Sequence, residues 1–180
     1  MESPAPHVPT FENLVLSHLD AAYNLARWLL RNDHDAQDAV QEASLRAYRA
    51  FDRFRGGDGR AWLLTIVRHV CYTHLRQGRR EPVLEAFDDA AHGSTEDLAE
   101  IKALAWSETK GELLRAALEQ LPAEFREVIV LHEIEGLAYR DIAAVAGIPI
   151  GTVMSRLARA RRKLQDELLG RKETESNHGL

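Results

Sequence analysis

"GIPIGTVMSRLARARRKL", Gly147 to Leu164, gathers five cationic side chains and no acidic one in a chain of net charge −5. Val153, Leu157, Ala160 and Leu164 recur at i, i+4, i+7 and i+11, the spacing of one buried helical stripe. Thr152, Ser155, Arg156, Arg159 and Arg162 fall on the remaining surface, with Lys163 beside them. Just upstream, "YRDIAAVAG" reads as a short helix with Ile142, Ala143 and Ala146 inward. Gly147 breaks it and "IPIG" turns the chain. Two helices joined by a Gly-containing turn, with small residues at the crossing and a cationic outer face, predict a helix-turn-helix. The second helix of such a motif enters the major groove with its N-terminal residues on base edges. Arginine can bridge guanine O6 and N7, and Ser or Thr can reach bases or phosphates. Arg156, Arg159, Arg161, Arg162 and Lys163 are therefore expected to face phosphate; the alternative is a solvated basic face on an ordinary helix hairpin.

Outward from this segment the chain keeps helical spacing and no stretch has strand alternation. Phe11, Leu14, Ala22, Leu25 and Leu29 form one periodic set. In "RNDHDAQDAVQEASLRAYRAF" Asn and Asp suit an N-cap, and Ala36, Val40, Ala43, Ala47 and Phe51 share a face. "GRAWLLTIVRHVCYTHLRQ" places Trp62, Ile66, Val70 and Thr73 or His74 along a stripe. Two more helices are expected over "SETKGELLRAALEQL" and "PAEFREVIVLHEIEG", the latter with Pro122 near its start and Gly136 after its end. The fold class is all-α, as two helical bundles.

Charge divides the chain. Residues 1–80 hold 11 Lys/Arg and 9 Asp/Glu, residues 81–122 hold 3 and 10, and residues 123–180 hold 9 and 9. The acidic excess sits in "EPVLEAFDDAAHGSTEDLAE", whose Pro, Gly and Ser without sustained periodicity read as a linker between two bodies. The alternative is an ordered acidic loop within one domain. A second basic stretch, "RHVCYTHLRQGRR" from Arg68 to Arg80, follows the Gly-rich "FRGGDGRAW" with Phe54 and Trp62 at its ends. Aromatics beside cations suit single-stranded nucleic acid, where rings take bases and arginines hold the backbone. Aromatics at helix ends are also ordinary core residues, and composition leaves both readings open.

Other function classes find little support. The eight histidines form no H-E-x-x-H or comparable metal spacing, and "GGDG" lacks the phosphate-loop spacing. No cofactor, metal or small-molecule substrate is implied. The one cysteine, Cys71, reads as a core thiol and allows no internal disulfide. No apolar run approaches the roughly 18 residues of a membrane span, so no membrane insertion is expected. "MESPAPHVPT" lacks the basic start and apolar stretch of a signal peptide, so a cytoplasmic location is expected.

"HDAQDAVQEASLRAYRAFDRF", "FRGGDGRAWLLTIVRHVCYTHLRQ" and "LPAEFREVIVLHEIEGLAYRDIAAVAGIPIGTVMSRLARARRKL" together resemble the extracytoplasmic-function (ECF) group of sigma-70-type RNA polymerase sigma factors. The resemblance covers residues 10–80 and 110–168, in order. It implies a sigma-2-like domain over 10–80, an acidic linker over 81–108 and a sigma-4-like domain over 109–168. A tail over 1–9 and a disordered tail over 169–180 complete the expectation.

The resemblance also implies roles. Asp38, Gln41, Glu42, Leu45 and Arg46 would contact polymerase core, whose β′ and β subunits are the implied partners. The loop with Phe54, Arg55, Asp58 and Arg60 would capture a flipped base of the −10 non-template strand. Trp62, Arg68, His69 and Arg76 would form the melting and −10 surface. Thr152, Ser155, Arg156, Arg159, Arg162 and Lys163 would read −35 duplex, and an anti-sigma factor is an implied partner. His69 stands where the family usually has Asn, and His74 where it often has Trp, so the −10 preference does not carry over by analogy. Two other readings remain: a stand-alone helix-turn-helix regulator binding duplex DNA as a dimer, and a helical adaptor using the acidic 35–42 face without DNA.

Overall fold

The computed structural model of the protein describes residues 10–78 and 108–177, with side chains over 10–78 and 112–170. All described regular elements are helical. The first three helices, α1 (Phe11–Leu30), α2 (Asp33–Ala50) and α3 (Gly59–Gln77), form one compact unit in which each packs on the other two. Local chemistry sets their ends. Thr10 Oγ1 accepts from the Asn13 N–H, and Arg31 closes α1 in the left-handed region at φ 57°. Asn32 caps α2 by accepting the Asp35 N–H at 3.0 Å. Tyr23 and Arg27 of α1 both donate to Asp33 Oδ1 and tie down this two-residue joint. Asp58 caps α3, its Oδ1 accepting from the Arg60 and Ala61 N–H groups at 2.9 and 3.1 Å.

The core of this unit follows the expected periodicity in α1 and α2. Leu14, Ala22, Leu25 and Leu29 are buried, and α2 turns in Ala36, Ala39, Val40, Ala43 and Ala47. A face made almost wholly of alanine lets neighbouring helices approach closely. Each fully buried Leu contributes about 1.5–3 kcal/mol relative to exposure. Phe11 and Phe51 are only half-buried. In α3 the expected stripe is displaced. Leu63, Leu64, Val67, Val70, Cys71 and Leu75 are buried, whereas Trp62, Ile66, Thr73 and His74 are half-buried. The run "AWLLTIV" is apolar on consecutive positions, so two registers fit its pattern, and the one burying both leucines prevails.

The second unit contains α4 (Glu108–Gln120), α5 (Ala123–Ile129), α6 (Tyr139–Ala146) and α7 (Ile150–Asn177), with α4 and α5 packed on α7. Arg126, fully buried, donates from Nη1 to the Glu119 and Leu121 carbonyls at 3.1 and 2.7 Å. It thereby satisfies orphan acceptors at the C-terminus of α4 and opposes the negative end of its dipole. Past Ile129 the backbone widens into a π-helical turn over Val130–Ile134, where the Glu135 N–H reaches the Val130 carbonyl five residues back at 2.9 Å. Between α6 and α7, Gly147 takes φ +66°, a conformation open to glycine, and the Ile148 N–H bonds the Ala143 carbonyl at 3.1 Å. The chain bends by 100° there, within the range of a helix-turn-helix.

The segments 1–9, 79–107 and 178–180 lie outside the described residues, and with them nearly all of the expected linker. The expected tail over 169–180 is corrected in part. Helix α7 continues to Asn177 through "GRKETESN", a Lys- and Glu-containing stretch of good helix formers. No single described helix is long and apolar enough to cross a membrane.

Candidate nucleic-acid interface

Helix α7 buries Val153, Leu157, Ala160 and Leu164, the stripe read from spacing, and adds Leu168. Fixing that stripe inward turns Thr152, Ser155, Arg156, Arg159, Arg162 and Lys163 toward the other side. Arg162 and Lys163 are exposed; the other four are half-buried. Ser155 Oγ donates to the Thr152 carbonyl at 3.2 Å. The fifth cation departs from expectation. Arg161 is turned inward, and its Nη2 donates to Glu133 Oε1 at 2.8 Å, with both side chains about nine-tenths buried at 9% and 10% exposure. It sits one residue beyond Ala160, close enough to the buried stripe to be drawn in, and the carboxylate offered by the π-helical turn neutralises it. Beside that carboxylate, His132 Nδ1 lies 2.9 Å from the Leu137 carbonyl and its ring tilts against Tyr139 at 4.9 Å. A carbonyl only accepts, so Nδ1 carries the proton.

The turn between α2 and α3 carries an aromatic cluster. Phe54 lies 4.9 Å from Trp62 and stacks at 6.1 Å on Phe51. Phe51 meets Phe11 edge-on at 5.5 Å, and Phe11 meets Tyr48 at 5.2 Å. Phe54 and Trp62 are thus packed and half-exposed at once. Gly56 and Gly57 sit at φ +88° and +98°, leaving Arg55 exposed on a short loop whose course only glycine takes without strain. Along α3, the Arg68 guanidinium lies 4.5 Å over the Tyr72 ring. His69 and Arg76 are exposed, and Arg76 Nε donates to the Tyr72 carbonyl at 3.2 Å.

On α2, Asp38, Gln41 and Leu45 at i, i+3 and i+7 share one exposed face, with Leu45 55% exposed. Glu42 turns toward α3. Its Oε2 accepts from His74 Nε2 at 3.2 Å and its Oε1 from Arg46 Nη2 at 2.5 Å. The His74 hydrogen bond, then the Arg46 bond and charge, hold the Glu42 carboxyl below the usual carboxylate range against a small desolvation effect.

Comparison with known proteins fixes the family. Residues 14–81 match Sigma-70 region 2 and residues 111–164 match Sigma-70, region 4. The ECF RNA polymerase sigma factor SigE of Mycolicibacterium smegmatis is 36% identical over 166 residues, covering 89% of this chain and 62% of that one. The ECF RNA polymerase sigma-E factor of Escherichia coli K12 is 36% identical over 141 residues, covering 74% of each chain. The chain belongs to the ECF sigma factors. Among solved structures, the sigma factor RpoE of Bartonella quintana, in complex with the anti-sigma factor NepR, superposes with a TM-score of 0.68 at 30% identity, covering 88% of this chain and 96% of that one.

In this ECF sigma factor the −35 residues come together on one helix side, whereas the −10 residues divide. Arg55, His69 and Arg76 are exposed; Arg60 is half-buried and Arg68 rests on a ring. Asp58 has a structural occupation as the α3 cap. The polymerase-binding residues divide as well, into an outward set and the Glu42–Arg46 pair facing α3. Two features escaped sequence reading. The inward turn of Arg161 was signalled by its place one residue beyond Ala160 in the stripe. The His74–Glu42 bond spans 32 residues, and no local pattern announces it. Among the described residues no group of His, Cys, Asp and Glu is arranged to hold a metal.

Proposed function

We propose that this sigma factor binds RNA polymerase core through α2 and directs it to promoters, reading −35 duplex with α7 and the −10 non-template strand with the α2–α3 loop and α3. One observation carries the reading: a region-2 bundle and a region-4 helix-turn-helix occur in a single chain, the latter with a cationic face opposite its buried stripe. A stand-alone regulator needs only the second unit, so the first would be unexplained.

The work is physical. Cations on α7 anchor to phosphate with a salt-dependent affinity. The half-exposed Phe54 and Trp62 rings and the exposed Arg55 offer an extruded base and its backbone a resting place, offsetting the few kcal/mol of unstacking. Polymerase core supplies catalysis, and this chain is no enzyme. The outward face of Asp38, Gln41 and Leu45 is the core contact, and an anti-sigma factor competes for such surfaces, as suits a relative solved with NepR. The test is run-off transcription with purified core over a promoter library. Transcripts that start at a shared two-element sequence only when the chain is present support the reading; duplex binding without core-dependent initiation would favour the regulator.

A further inference from the structure

Ile150, Met154 and Ala158 recur at i, i+4 and i+8 along the first turns of α7. Ile150 is 47% and Met154 54% exposed, so this is an apolar strip on the outside of the helix, separate from the buried Val153–Leu157 stripe. One residue round the helix runs a second strip, Gly151, Ser155, Arg159 and Arg162. A Cβ added at Gly151 would meet nothing within 4 Å, so no internal packing requires a glycine there and the outer face is open.

Any surface that covers Met154 also lies against Ser155 and Arg159. That surface must be anionic and carry a small apolar group. A protein interface buries about 800 Å² on each side, far more than two long side chains and an alanine supply. Duplex DNA meets both requirements at this scale. Its backbone is anionic, and the one apolar group presented in its major groove is the 5-methyl of thymine. Residues in the N-terminal part of a docked recognition helix are those that meet base edges. We propose that Met154 is a specificity-determining residue that reads a thymine of the −35 element through its 5-methyl group. The proposal rests on the −35 reading given above and adds a side chain that no cationic or hydrogen-bonding pattern marks.

The test uses holoenzyme, the full chain with polymerase core, on its selected promoter. Each −35 thymine is replaced in turn by deoxyuridine, which differs only by the methyl. Burying one methyl is worth about a three- to fourfold change in affinity, so one position should weaken by about that factor. With Met154→Ala the sensitivity at that position should vanish while other positions are unaffected, and Met154→Leu should restore it. A residue that merely supports the fold would not couple to a single methyl. Normal −35 preference with the same deoxyuridine profile in native and Met154→Ala protein would overturn this inference alone. Loss of affinity for a protein partner on Met154→Ala, again with an unchanged profile, would overturn it and assign the strip to that partner. Absence of any −35 preference in the native holoenzyme would overturn the underlying reading as well.

Discussion

Adjacent arginines in "RARRK" have opposite fates. Arg161 is held by Glu133 in a poorly solvated pocket, and among the described residues its Nε finds no acceptor, so the carboxylate is its main support. Removing one member of a buried pair leaves the other uncompensated. Arg161→Ala should therefore destabilise the second unit by about 3 kcal/mol, whereas Arg162→Ala, exposed one residue on, should change stability by no more than about 0.5 kcal/mol. Urea unfolding of the two variants gives the comparison, and equal midpoints would contradict it. Glu42 carries a second expectation. Its folded pKa lies below its unfolded one, so its contribution is fully present above the ordinary carboxylate range. It is lost as pH falls through that range toward the depressed value. Between about pH 5 and pH 3 the native chain should lose stability more steeply than Glu42→Gln, measured by denaturant midpoints at each pH. Parallel curves would mean that the His74 and Arg46 bonds contribute nothing.

At the scale of elements, α7 is where spacing told most. Its buried stripe was legible because Val, Leu and Ala recur among polar residues without competing apolar positions. The α3 stripe was misjudged by about one position because Trp62 to Val67 offers more apolar positions than one face can take, and long-range packing with α1 and α2 decided among them. The same limit hid Arg161, whose partner lies 28 residues away and is invisible to any local pattern. Phe54 and Trp62 were legible only as alternatives, core or platform, and the structure gives them a share of both. Within α7, Arg156 sits in the N-terminal half and Lys163 two turns later. Arg156→Ala should relax preference at one −35 position and cost about 1–3 kcal/mol at the preferred sequence. Lys163→Ala should weaken all sequences alike and lower the salt slope by about one. A −35 library read at two salt concentrations separates them; identical profiles would sink the division into readers and anchors.

Across the whole molecule, each unit has its own apolar core: Leu25, Leu29, Leu63 and Leu64 in the first, Leu131, Ile142, Leu157 and Leu164 in the second. Fragments covering residues 1–80 and 107–180 should each be soluble and helical, with far-ultraviolet spectra that sum to that of native protein less the omitted stretch. If neither fragment folds, the two cores are not independent. The π-helical turn at Val130–Ile134 has a consequence for how the chain tolerates insertions and deletions. Its five-residue step takes up one residue more than an α-turn. A deletion there would restore regular winding, yet rotate everything downstream by about 100° relative to α5. Glu133 would swing away from Arg161 and the helix-turn-helix would lose its phase. Substitutions at several of these positions keep the count and can be absorbed by repacking; a frame-preserving codon loss cannot. The angle at which the reading helix is presented is thus stored in the number of residues in one turn as much as in their identity.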